Sequence, residues 1–156
     1  MILKNYTPTD ANYWTGRVDD LHDVDSFRMH QIIKLLDLED IETLQVDPAK
    51  LDICLIGYCC DEGIERNSGR TGAKHGPEDI RSKFASLPIP FCDKIQIYDA
   101  GNLSCTDGNM EGIQKQLAIG IEQMLDNHLF PIVLGGSHDL SYGHFKGIFN
   151  HLRKQN

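Results

Sequence analysis

A histidine that follows two glycines at the end of an apolar run is the residue in this chain best placed to do chemistry. The stretch Pro131 to Phe145 reads PIVLGGSHDLSYGHF. In open α/β sheets, ligands bind just beyond the carboxyl ends of the strands. Gly135 and Gly136 let the backbone turn sharply there, and His138 follows at the entrance to a helix. A helix N-terminus disfavours an imidazolium, and a metal takes the neutral imidazole, so the position suits a ligand. Asp139 can complement the same dipole. On spacing alone, a single His at a strand-to-helix turn serves either as a ligand or as a capping or packing residue, and both readings stand. A nucleophile elbow needs G-x-S-x-G. Gly135 and Ser137 fit that pattern, but Asp139 occupies the position that needs a glycine. No Gly-Lys-Ser or Gly-Lys-Thr marks a phosphate loop, and Gly101 to Gly112 lacks the G-x-G-x-x-G spacing.

A second candidate is the loop GIERNSGRTGAKHG, Gly63 to Gly76, with four glycines and little apolar content. Structurally, its glycines permit a tight path into the next helix. Functionally, Asn67 and Arg70 can reach a carboxylate, since Arg offers a bidentate fork. Asp61 and Glu62 stand just after an apolar run, where loop capping and solvation compete with a site role. His75 can face the same rim. Arg81, on the following helix, reads as structural. His22, His30, His128 and His151 fall on expected helices or their ends, in surface or packing positions. His144 lies about 240° round an ideal helix from His138, so the two do not point at one ion.

These residues need strands and helices to position them. Leu51 to Tyr58 (LDICLIGY) and Phe130 to Leu134 (FPIVL) read as buried strands, and Lys94 to Asp99 (KIQIYD) alternates as a third. A first helix is expected over Ser26 to Asp37, with Ser26 as N-cap. Pro77 opens another, where its missing N–H costs little, with Ile80 and Phe84 on one face. Ile113, Leu117, Ile121 and Leu125 recur every four residues from Asn109 to Asn127, an amphipathic helix signal. Gly101 to Gly108 is expected as loop. The final helix is expected to carry Leu140, Phe145, Ile148, Phe149 and Leu152 inward. Strands separated by helices imply a parallel sheet with helices on both faces. Three strands make a small sheet, and a run such as FPIVL wants neighbours on each side.

Composition sets the class. The chain has 156 residues, 40% hydrophobic and 24% charged, which suits one globular domain. Fifteen Lys plus Arg against 23 Asp plus Glu give a net charge of -8, unlike the basic footprint of a nucleic-acid binder. No apolar run approaches a membrane span, and the N-terminus lacks an apolar signal core. Cys54, Cys59, Cys60, Cys92 and Cys105 form an odd set with no C-x-x-C pair. They read as reduced, packed thiols in a cytoplasmic protein.

The motif GGSHDLSYGH resembles the first metal-ligand motif of the ureohydrolases, the arginase, agmatinase and formimidoylglutamase family. NSGRTGAKHGPEDIR is similar to that family's upstream Gly-rich loop and helix. YWTGRVDD, FRMHQII and CDEGIERNSGR look more like formimidoylglutamase than arginase. The resemblance covers the whole chain but only the N-terminal half of the family's domain. It implies an α/β/α three-layer fold with a parallel sheet, arginase-like and truncated to about the first three strands. It also implies a pair of manganese ions (Mn2+) that activate a bridging hydroxide against a guanidine or formimidoyl carbon. His138 carries over as the first ligand. The Asp-x-His-x-Asp motif and the later Asp-x-Asp motif that supply the others do not follow His138 in this chain, so at most one partial metal site is expected here. The favoured substrate is N-formimidoyl-L-glutamate, whose carboxylates Asn67 and Arg70 would meet. Arginase or agmatinase chemistry is the alternative within the family, and a non-catalytic α/β binding or assembly module is the alternative outside it. The expected partners are a small molecule and, through an exposed sheet edge, a second copy, with no nucleic acid and no membrane.

Overall fold

The apolar runs seen in the sequence become the central strands of one sheet. The computed structural model describes residues 3–89 and 93–155. In chain order the elements are β1 (Tyr6–Thr7), α1 (Met29–Ile32), β2 (Lys34–Leu35), β3 (Leu51–Cys59), α2 (Glu62–Arg66), α3 (Gly76–Phe84), β4 (Ile95–Ser104), α4 (Met110–Asp126), β5 (Phe130–Leu134) and α5 (Leu140–Lys154). The sheet order is β1-β4-β3-β5. β3 lies parallel to both β4 and β5, and the short β2 pairs parallel with the outer side of β4. β1 pairs antiparallel with the later part of that same side. The three expected strands are therefore present, flanked by two short ones that the sequence did not signal.

Side-chain alternation along β3 builds two cores. Cys54, Ile56 and Tyr58 face α4, where they meet Ile113, Leu117, Ile121 and Met124. Leu55 and Ile53 face the other way, toward Ile97, Trp14, Ala85 and the α3 residues Ile80 and Phe84. Helices thus cover both faces of a mostly parallel sheet. Asn109 caps α4 by accepting from the Gly112 N–H at 2.9 Å, and Pro77 stands in the first turn of α3.

Four expectations change. The helix over Ser26 to Asp37 shrinks to a 3-10 turn at Val24–Ser26 and the single turn of α1, followed by β2. Its backbone donors find tertiary acceptors instead: Met29 N–H bonds the Leu87 carbonyl, His30 that of Ala85 and Leu36 that of Asp99. Ser26 is not the cap, because Asp23 caps the 3-10 turn and Arg28 precedes α1. Second, the Gly-rich loop begins with helix α2, supported by a Glu62–Arg66 ion pair one turn apart at 2.9 Å. Third, β4 runs through Gly101 to Ser104, because β3 pairs with it as far as Cys59↔Ser104. Fourth, Phe145, Phe149 and Leu152 of α5 face outward, Phe145 with 66% of its surface exposed. Gly143 and Gly147 face inward in their place. A Cβ on Gly147 would stand 2.6 Å from the Ala118 carbonyl oxygen, so only glycine lets α5 come this close to α4. Cys92 lies outside the described residues. No helix among the described residues is long and apolar enough to cross a membrane.

Candidate functional site

Parallel pairing brings the carboxyl ends of β3, β4 and β5 to one edge, and the candidate residues gather there. β5 ends at Leu134, and Gly135 (φ 49°) and Gly136 (φ 93°) turn the chain in the left-handed region. A side chain on Gly136 would collide with the Tyr58 carbonyl. Past the glycines, the Ser137 N–H bonds the Cys60 carbonyl at 3.1 Å, which fastens the turn to the end of β3. Leu140, Ser141 and Tyr142 then donate back to Ser137, His138 and Asp139 and start α5.

The turn leaves His138 exposed. Its imidazole lines a groove of about 1040 Å³ between α4 and α5, together with Asp139, Gln114 and Tyr142. Asp139 is committed to holding the site together. Its carboxylate accepts from the Tyr58 hydroxyl at 2.6 Å and from the Ser137 hydroxyl, and Gln114 Nε2 bonds its carbonyl at 3.1 Å. Burial, then this bond to Asp139, raises the Tyr58 phenol well above its ordinary range, so it stays a donor. Sequence reasoning missed Tyr58 and Gln114. The available signal was a tyrosine inside an apolar strand, whose hydroxyl needs a partner once buried.

Asp61 is likewise occupied, since its two oxygens accept from the N–H groups of Gly72 at 2.9 Å and Lys74 at 2.8 Å. It therefore shapes the Gly-rich loop. Glu62 binds Arg66, which reaches on to Glu111 at 2.6 Å and the Gly108 carbonyl at 3.0 Å, tying the loop to α4. His75 is exposed and lines two smaller cavities of about 400 and 420 Å³. Gly76 follows it against the backbone of Gly135 and Gly136, so the loop abuts the turn that carries His138. Asn67 and Arg70 are exposed farther along the loop and line none of these three cavities.

Arg81 is fully buried on α3 and grips Asp99 of β4 with two bonds of 2.7 Å. It also donates to the Asn102 side-chain oxygen and the Gly101 carbonyl. Asp99 accepts further bonds from the Trp14 indole at 2.7 Å and the Thr9 hydroxyl at 2.8 Å. This network fixes the N-terminal arm to the sheet. The other histidines stand apart from the edge. His22 and His128 are exposed, His30 bonds the Ala85 carbonyl, and His151 bonds Asp126. His144 is half-buried, and burial lowers its imidazole pKa. No three His, Cys, Asp or Glu among the described residues lie where they could hold one metal ion.

Residues 51–156 match the arginase family. The chain is 43% identical to the formimidoylglutamase of Clostridium tetani over all 156 residues, covering 46% of that protein. It is 42% identical to the formimidoylglutamase of Geobacillus thermodenitrificans over 92% of the chain and 43% of the relative. Among solved structures, a Trypanosoma cruzi formiminoglutamase with Mn2+ aligns with a TM-score of 0.58 at 28% identity. That alignment covers 74% of this chain and 40% of the other. The chain spans less than half the length of these curated relatives.

Proposed function

The chain belongs to the arginase family, and we propose that residues 1–156 are the N-terminal part of a single ureohydrolase domain with formimidoylglutamase activity. The reaction is hydrolysis of N-formimidoyl-L-glutamate to L-glutamate and formamide. The observation that carries this reading is the 43% identity to a formimidoylglutamase along the whole chain. The place of His138, exposed at the carboxyl end of β5, supports it. Manganese takes carboxylate oxygens together with imidazole. At this edge the chain offers the His138 imidazole, while the carboxylates of Asp139 and Asp61 are already engaged. These residues do not by themselves fit a manganese pair. In the whole protein, His138 is one metal ligand, and the 156 residues hold at most a partial site.

Asn67 and Arg70 form the rim that meets the substrate's glutamate carboxylates, the Arg70 guanidinium by a bidentate pair. The partners are this small molecule and a second protein surface along the free side of β5. β5 pairs with β3 alone among the described strands, and an uncovered strand edge is a template for pairing. The acidic charge opposes a nucleic-acid partner, and the unbridged Cys54, Cys59, Cys60 and Cys105 suit the cytoplasm.

The test is a chimaera that joins residues 1–156 to the part of the Clostridium tetani relative beyond the aligned stretch. Its kcat/KM is compared on formimidoyl-glutamate, arginine and agmatine. The expected result is preference for formimidoyl-glutamate, abolished by His138→Ala and weakened through KM by Arg70→Ala. Preference for arginine or agmatine would overturn the substrate assignment. The 156-residue chain alone is expected to show no turnover and weak manganese binding. Two tight sites per chain by calorimetry would refute the ligand count.

A further inference from the structure

Two thiols follow the paired ends of β3 and β4, and the site described above does not use them. The β3–β4 register ends at Cys59↔Ser104, a pair closed by the Cys105 N–H donating to the Cys59 carbonyl at 3.0 Å. Cys60 and Cys105 are the residues that follow this last pair on the two chain segments. Paired strands lie about 4.8 Å apart, within the Cα separation of roughly 4.4–6.8 Å that a disulfide requires. Paired residues also project to the same face, and both cysteines belong to the core beneath α4. Cys59, one residue earlier, sits opposite Ser104 instead. The two thiols differ in access: Cys60 is buried, whereas Cys105 is half-buried and lines the cavity of about 420 Å³ beside His75.

We propose that Cys60 and Cys105 are an oxidisable dithiol, closed to a disulfide by a hydroperoxide. The Cys105 sulfur, the more accessible, attacks the peroxide. The O–O bond breaks, water or an alcohol leaves, and Cys105 becomes a sulfenic acid. Cys60 then attacks the Cys105 sulfur, the S–O bond breaks, and water leaves. Two thiols lose two electrons and two protons in total, and the peroxide is reduced by the same two electrons. Burial, then the neighbouring Cys60, pushes the Cys105 thiol up to about 11, so little thiolate exists at neutral pH. The pair is therefore a slow oxidative lock rather than a fast sensor. Its position gives it leverage. The Cys60 carbonyl holds Ser137, next to His138, and the following residue, Asp61, holds the Gly-rich loop.

The test uses the intact chain, incubated with hydrogen peroxide, alkylated in denaturant and digested without reductant for mass spectrometry. The expected product is a Cys60–Cys105 linked peptide lacking two hydrogens. Of five cysteines, the two linked leave three alkylated. Cys59→Ser should keep the crosslink and Cys105→Ser should remove it. Linkage through a different pair, a Cys105 sulfinic acid with Cys60 still alkylatable, or five alkylated thiols after prolonged exposure would each overturn the proposal.

Discussion

Replacing Arg81 by methionine should destabilise the chain by leaving a buried carboxylate without its counter-charge. Arg81 and Asp99 both have 0% exposure and share two bonds of 2.7 Å. In Arg81→Met the Asp99 carboxylate keeps the Trp14 indole, the Thr9 hydroxyl and the Gly101 N–H at 3.1 Å, but no cation. Removing one partner of a buried ion pair costs about 3–5 kcal/mol. With a urea m-value of about 2 kcal/mol/M, the midpoint should fall by about 2 M. Arg81→Lys should lie between, because an ammonium cannot reproduce the two-pronged grip. The sharper expectation concerns the double variant. Asp99→Asn made in the Arg81→Met background removes the orphaned charge while its amide oxygen still accepts from Trp14. The double variant should therefore be more stable than Arg81→Met alone. The protein carries its own reporter: its one tryptophan is Trp14, buried and bonded to Asp99. Urea titrations followed by its fluorescence, at low protein concentration, give all the midpoints. A double variant less stable than Arg81→Met would show that charge burial is not what the network resolves.

Gly136→Ala should destabilise by about 1–3 kcal/mol or more, because φ is +93° and the new methyl meets the Tyr58 carbonyl. A urea midpoint equal to that of the parent would contradict the geometry. Burial holds the His144 pKa below its unfolded value, so the unfolded state binds more protons as pH falls through about 6.5. Stability should drop with pH in that window, and His144→Gln should flatten the slope between pH 7 and pH 5; parallel slopes would dismiss the effect. Sedimentation at micromolar concentration should show self-association, reduced in Phe145→Glu, since Tyr142, Phe145 and Phe149 of α5 and Phe130 and Ile132 of β5 expose apolar surface. A clean monomer would mean that the chain closes its own core.

Local pattern sufficed wherever one element buries one face by itself. The run LDICLIGY reads as a buried strand and is one, and the recurrence of Ile113, Leu117 and Ile121 marks the core face of a helix; FPIVL is a strand too, but with Phe130 and Ile132 exposed rather than buried. The glycine pair before His138 likewise announced a turn at a strand end, because left-handed φ values are costly for other residues. Pairing decisions lay beyond that reach. Whether β4 stops at Asp99 or continues to Ser104 depends on β3 lying alongside to accept its hydrogen bonds. Ser26 to Asp37 has helical spacing, yet its donors are claimed by Leu87, Ala85 and Asp99, residues over 50 positions away. The face of α5 was misread because apolar content implied burial. Close approach to α4 instead selected Gly143 and Gly147 and turned the phenylalanines outward. The roles of Asp61, Asp139 and Arg81 were also tertiary decisions. A carboxylate in sequence is equally a ligand, a cap or a buried counter-ion, and only the donors that the fold brings within about 3 Å decide which one it becomes.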